Sequence, residues 1–148
     1  MLKKVMPTSY LFVALLLIIL LHYTLPIVTI IASPWNLVGL LPLILGVVIN
    51  VIADLDLKRG KTTVKPFQES RTLVTDRAYR ISRHPMYLGF VLILLGISLL
   101  LGSASPYVVV ILFAILMELL YIREEESMLE EQFGQEWSQY RSRVRKWI

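Results

Sequence analysis

The chain has 148 residues, 56% of them hydrophobic and 18% charged, with a formal net charge of +4 and no cysteine. That is too apolar for an ordinary soluble domain and too short for a membrane domain joined to a soluble one. The absence of thiols excludes disulfides, thiolate nucleophiles and Cys-based metal sites.

Four apolar runs follow one another. The first extends from Tyr10 to about Ile31, interrupted by His22 and Pro26. Lys3 and Lys4 precede it, as in a signal peptide. Its apolar character continues past Pro26, however, and Ile30-Ile31-Ala32 is a poor cleavage site, so it is read as a first transmembrane helix. The second run spans about Trp35 to Ala53, the third Met86 to Leu101 and the fourth Tyr107 to Ile122. A spanning helix needs roughly 17–20 apolar residues. The last two runs have 16 each, so both helices are expected to continue past the apolar core into the interface.

Every charged residue lies in one of three places: Lys3 and Lys4, the stretch from Asp54 to Arg83, and the tail from Glu118 onward. In a four-helix topology all 15 Lys and Arg then fall on one side, which basic residues mark as cytoplasmic. The expectation is an all-α membrane protein of one domain, residues 1–148. Its four transmembrane helices would form two antiparallel hairpins, one with two and three with four, with both termini cytoplasmic. Residues 54–85 form a cytoplasmic loop. Its β-branched runs, Thr62-Thr63-Val64-Lys65-Pro66-Phe67 and Leu73-Val74-Thr75, predict an ordered loop lying on the bundle. Residues 123–148 read as an amphipathic interfacial helix, with Leu129, Phe133, Trp137, Tyr140, Val144 and Trp147 in one stripe and a bend at Gly134. The aromatic stripe reads as a membrane anchor.

Chemistry concentrates in two places. Arg83-His84-Pro85-Met86-Tyr87-Leu88-Gly89 lies where the polar loop enters the third span. Arg83 is a permanently charged fork suited to a carboxylate or phosphate. His84 can donate a hydrogen bond or move a proton. Pro85 fits the first helical turn, whose free N–H groups favour anions. Gly89 and Gly96 share one helix face, a bare strip open to a helix or a flat ligand. Glu124-Glu125-Glu126 sits where the fourth helix leaves the membrane, with Glu118 on the face of Glu125 and deeper. Successive helical residues point about 100° apart, so the three glutamates cannot all face one ligand. An intramembrane carboxylate is a functional candidate.

The same residues admit plainer readings. Arg77, Arg80 and Arg83 also fit positive-inside anchors, and the glutamates a solvated helix paired with arginines. His22 reads as a packed or interfacial residue, and Asp54-x-Asp56 as the point where helix two meets water. Two histidines 62 positions apart and no cysteine make a His-based metal site an unlooked-for arrangement. No G-x-G-x-x-G cradle is present, so a nucleotide-like cofactor would bind on helices.

The pattern resembles the isoprenylcysteine carboxyl methyltransferase and phospholipid methyltransferase superfamily. The residues that carry the likeness are Thr63-Val64-x-Pro66, Leu73-Val74-Thr75 and Tyr79-Arg80-x-Ser82-Arg83-His84-Pro85-Met86-Tyr87-Leu88-Gly89. They continue with Ile122-x-x-Glu125-Glu126-x-x-Leu129-x-x-x-Phe133-Gly134-x-x-Trp137-x-x-Tyr140. Arg77-Ala78 stands where the family usually has Gly-Pro, and Trp137 where it usually has tyrosine. The resemblance implies S-adenosylmethionine as methyl donor. Arg83, His84, Pro85, Tyr87 and Gly89 would lie on one wall of its site, and Glu125 and Glu126 on the other. It also implies in-line methyl transfer to a lipid or amphiphilic acceptor at the cytoplasmic face, with membrane lipids as surroundings and neither nucleic acid nor metal as partner. No catalytic base is assigned. The Trp35-Asn36-Leu37 opening looks like short bacterial members, which implies a bacterial or archaeal plasma membrane. The rival enzyme class is an NADPH-dependent membrane reductase of the sterol reductase type, whose pattern carries Asn and an acidic residue where this chain has Met86 and Phe90. The non-enzymatic rival is a small transporter or scaffold subunit.

Overall fold

A computed structural model describes residues 5–61 and 72–148. Lys3, Lys4 and the run at 62–67 lie outside the described residues, and with them the Thr63-Val64-x-Pro66 part of the family pattern. Among the described residues seven α-helices follow in order: α1 (Pro7–Thr24), α2 (Leu40–Arg59, entered through a 3-10 turn at Trp35–Gly39), α3 (Ala78–Ile81), α4 (Pro85–Leu101), α5 (Pro106–Met117), α6 (Arg123–Phe133) and α7 (Gln135–Arg143). A π-helical turn, Glu118–Ile122, joins α5 to α6 without a break.

The first span is shorter than its apolar run. α1 ends at Thr24, because Pro26 has no N–H to offer and restricts the residue before it. The chain then runs back extended along the α4–α5 turn. Ile30 N–H donates to the Gly102 carbonyl at 2.8 Å, and Ala104 N–H to the Val28 carbonyl at 3.0 Å. The second helix is longer than its run: it continues past Ala53 to Arg59. The fourth helix does continue beyond its apolar core, through the π turn to Phe133. The third does not. α4 stops at Leu101 after 17 residues, about 26 Å of rise, a little short of a typical hydrocarbon core.

Neighbouring directions alternate. α2 and α4 are antiparallel, since the Cβ positions of Gly39 and Gly46 face Gly96 and Gly89 in reverse order. α1 and α5 are antiparallel as well: Tyr10 meets Tyr121 at one end, and His22 meets Ser103 at the other. The packing differs from the expected hairpins in one respect. Among the described residues α1 packs on α5 and α4, while α2 packs on α4 and not on α1. Spans one and two are therefore consecutive without being a packed pair. The cause lies in the glycines. Gly39 and Gly46 on α2 repeat with the same spacing of seven as Gly89 and Gly96 on α4. The two bare strips let the backbones touch, with a Cβ at Gly46 falling 2.6 Å from the Gly89 carbonyl. The strip on α4 thus receives a helix.

The shared core is built from Ile18, Leu94, Phe113, Met117, Tyr121 and Ile122, all at most 3% exposed. Phe12, Leu16 and Leu20 on α1 and Leu41, Ile44 and Val51 on α2 lie exposed. Such an apolar exterior is what lipid contact requires.

Candidate functional site

One end of the bundle gathers the polar motif, the glutamates and the tail. α2 prepares it first. The buried Asp56 carboxylate accepts from Ala78 N–H at 3.4 Å and lies 3.7 Å from Arg77, which ties the end of α2 to α3. Asp54 pairs with Lys58. Both aspartates of the D-x-D pair therefore serve the structure. After α3 the chain reaches Ser82, whose fully buried hydroxyl accepts from His84 N–H at 3.1 Å and donates to the Lys146 carbonyl at 2.9 Å. Pro85 then starts α4 at its first helical position.

The two predicted walls meet in direct ion pairs. Arg83 Nη2 lies 2.7 Å from Glu126 Oε1, with the two side chains 8% and 10% exposed. His84 Nε2 is 3.3 Å from the same oxygen and its Nδ1 is 3.6 Å from Glu125 Oε2. Tyr87 donates its hydroxyl to Glu125 Oε1 at 2.7 Å. Burial pushes the His84 imidazole toward a lower pKa. Hydrogen bonds and charge from Glu125 and Glu126 outweigh that and hold it above its ordinary value of 6.5.

Two of the three consecutive glutamates thus face the motif, helped by the π turn that precedes them. Such a turn changes the helical register locally and is frequent at functional sites. It buries Tyr121 and Ile122 and brings Glu118 to the edge of the cluster, where Lys146 Nζ sits 2.8 Å from Glu118 Oε1 and 3.5 Å from Glu126 Oε2. Of the other expected site residues, Pro85 is buried at the helix start. Gly89 is turned away from the glutamates, and a Cβ there would meet the Asn50 amide and the Gly46 carbonyl. It serves the α2–α4 contact and does not join the cluster.

The tail departs most from expectation. It is two helices, broken at Gly134 (φ 49°), and not one interfacial helix. The break returns the chain onto the motif. Arg83 N–H donates to the Arg145 carbonyl at 3.0 Å, Arg83 Nη1 to the Arg141 carbonyl at 3.3 Å, and the Tyr140 hydroxyl to the Tyr79 carbonyl at 2.6 Å. Trp137 and Tyr140, expected as anchors, are buried at 1% and 7% exposure, and Trp147 packs against the core. Ser82 and Lys146 were not predicted as parts of this site. The amphipathic stripe signals that the tail covers something, but not that it covers the protein itself.

These features define a class: a membrane bundle whose charged groups close into one buried cluster at one end. Residues 35–136 match the phospholipid methyltransferase family, and the chain belongs to it. It is 39% identical over 75 residues to protein-S-isoprenylcysteine O-methyltransferase of Schizosaccharomyces pombe, covering 49% of this chain and 30% of the relative. It is 32% identical over 109 residues to a probable protein-S-isoprenylcysteine O-methyltransferase of Oryza sativa subsp. indica, covering 72% of this chain and 57% of the relative. The solved structure of a eukaryotic intramembrane Ras methyltransferase, isoprenylcysteine carboxyl methyltransferase, superposes with a TM-score of 0.73 at 26% identity, over 95% of this chain and 51% of that one. The chain therefore spans about half the length, or less, of these relatives. Among the described residues three helices are long and apolar enough to cross a membrane (Pro7–Thr24, Trp35–Arg59 and Pro106–Phe133), with Pro85–Leu101 a shorter apolar companion. The chain is an integral membrane protein.

Proposed function

We propose that the chain is a single-domain S-adenosylmethionine-dependent methyltransferase acting on a lipid or amphiphilic acceptor at the cytoplasmic face of the membrane. The observation that carries this reading is the meeting of Arg83-His84 with Glu125-Glu126 in a member of the phospholipid methyltransferase family. The orientation rests on the charge distribution, which keeps both termini and the cluster on the basic side.

The residues present fit such a cofactor. Arg83 Nε–H is buried and has no acceptor among the described residues, which leaves a donor for an anionic group. Glu125 keeps its side chain one-fifth exposed, open to an ammonium or a ribose diol. When bound, S-adenosylmethionine supplies an electrophilic methyl group on a sulfonium sulfur. Arg83 would hold the carboxylate end, Glu125 and Glu126 would accept from the amino group and diol, and Tyr87 would orient Glu125 through its hydroxyl. The packed apolar ends of α4 and α5 exclude water, and in a dry site most of the acceleration comes from holding the partners in line. The acceptor enters sideways from the bilayer.

Calorimetric titration of the purified chain with S-adenosylhomocysteine, and separately with NADPH, tests the reading. Binding of S-adenosylhomocysteine is expected, weakened by Glu125→Ala and His84→Ala in folded protein. Binding of NADPH alone would overturn it in favour of a reductase.

A further inference from the structure

Two nitrogen donors at the site are buried without acceptors among the described residues: Arg83 Nε and Trp137 Nε1. They belong to neighbouring side chains, with Arg83 Cζ over the Trp137 ring at 5.7 Å from its centre, within range of a cation–π contact. Trp137 is 1% exposed, and the Arg83 side chain 8%. A buried N–H without a partner costs about 1–3 kcal/mol, so two of them on side chains in contact call for an acceptor. Indole N–H and guanidinium can only donate, and a charged acceptor makes the stronger bond.

The surroundings carry both signs, with Arg83, His84 and Lys146 set against Glu118, Glu125 and Glu126. The Arg83 guanidinium is already engaged on its other side by Glu126 and by the Arg141 carbonyl, so Nε is the part of the fork left over. Of the basic residues that follow Trp137, Lys146 reaches the cluster, 3.5 Å from Glu126 Oε2. The facing carboxylates already balance the cluster's cations, Glu126 meeting Arg83, His84 and Lys146, and Glu125 meeting Tyr87 and His84 while keeping an exposed edge.

We propose that Trp137 is a ligand-binding residue, its indole N–H and the Arg83 Nε–H together forming a subsite for an anionic oxygen group. Two sources share that chemistry: the carboxylate of the methyl donor, for which the inference rests on the function proposed above, and the phosphate of a lipid headgroup, for which it does not. The Gly134 break is what makes the subsite, because it turns α7 so that Trp137 packs inward on Arg83 and not outward into lipid.

The test uses the full chain in detergent, with Trp137→Phe removing the N–H while retaining an aromatic face for the cation–π contact. Three probes are titrated: S-adenosylhomocysteine, its decarboxylated analogue and glycerol 3-phosphate. A loss of about tenfold confined to S-adenosylhomocysteine, with the decarboxylated analogue unaffected, supports the subsite and assigns it to the donor's carboxylate. A loss confined to glycerol 3-phosphate supports it and assigns it to a headgroup. Equal weakening of S-adenosylhomocysteine and its decarboxylated analogue makes Trp137 merely structural and overturns the proposal, as do unchanged affinities for all three probes. Arg83→Lys keeps the charge and drops Nε–H, so it carries the same test if the Phe variant does not fold. If the wild type ignores S-adenosylhomocysteine yet binds glycerol 3-phosphate through Trp137, the methyltransferase reading falls and the subsite stands. A wild type that binds neither anion ends the subsite as well.

Discussion

Each end of the bundle holds one histidine, and the two are solved differently. At the far end His22 Nδ1 meets Ser103 Oγ at 2.8 Å, the Ser105 hydroxyl donates to the Leu21 carbonyl at 3.3 Å, and Asn36 Nδ2 donates to the Leu100 carbonyl at 2.7 Å. No residue from 22 to 36 or from 100 to 107 is charged. At the near end His84 sits among Arg83, Glu125, Glu126 and, through Glu126, Lys146. Neutral hydrogen bonds are enough to close four helix ends. Burying ions instead carries a desolvation cost that pairing only partly offsets. Among the described residues that cost is met at one end, which makes that end the candidate ligand site, since perturbed ionisable groups cluster at such sites.

The contrast can be broken most forcefully at Glu126. Glu126→Ala leaves Arg83 buried without its carboxylate and is expected to destabilise the chain by about 3–5 kcal/mol, read as thermal unfolding in detergent. A loss below 1 kcal/mol would mean that the cluster is solvated after all. Next comes the glycine strip linking the two ends. At Gly46 a methyl group would meet the Gly89 carbonyl at 2.6 Å and the Ile93 amide at 2.9 Å, both backbone. Gly46→Ala should therefore cost about 1–3 kcal/mol while leaving S-adenosylhomocysteine affinity intact in the folded fraction. A selective loss of affinity would put the strip in the ligand site.

A pH dependence is expected from the near end. His84 has its folded pKa raised above the unfolded 6.5. Its contribution is then fully present below that value and is lost as pH rises through the folded pKa. Unfolding temperature should decline with pH above about 6.5 on account of His84, and the decline should flatten in a Glu125→Gln, Glu126→Gln double variant. An unaltered slope would separate the histidine from those carboxylates. The smallest effect is expected at the far end, where Ser103→Ala removes one neutral hydrogen bond, worth roughly 0.5–1.5 kcal/mol, with no change in ligand binding.

Much of this was legible from residue order. The apolar runs gave the order of the apolar helices, and Arg83-His84-Pro85 and Glu125-Glu126, both singled out, come together at one end of the bundle. Three features were not. Pro26 ended α1 early, and the freed segment paired with the α4–α5 turn. Gly89 was assigned to a ligand wall, but the matching glycines on α2 claimed it. Trp137 was read as a surface anchor, because an amphipathic helix looks the same whether its apolar face meets lipid or protein.

Composition and periodicity, being local, were enough for the membrane class, the order of the apolar helices and the residues that share a face. Which faces meet depends on contacts between positions far apart in the chain. The seven-residue glycine repeats chose α4 as the partner of α2, the π turn aimed Glu125 and Glu126 together, and the Gly134 break folded the tail back onto Arg83. Each is a small backbone change whose consequence appears only once the helices are packed.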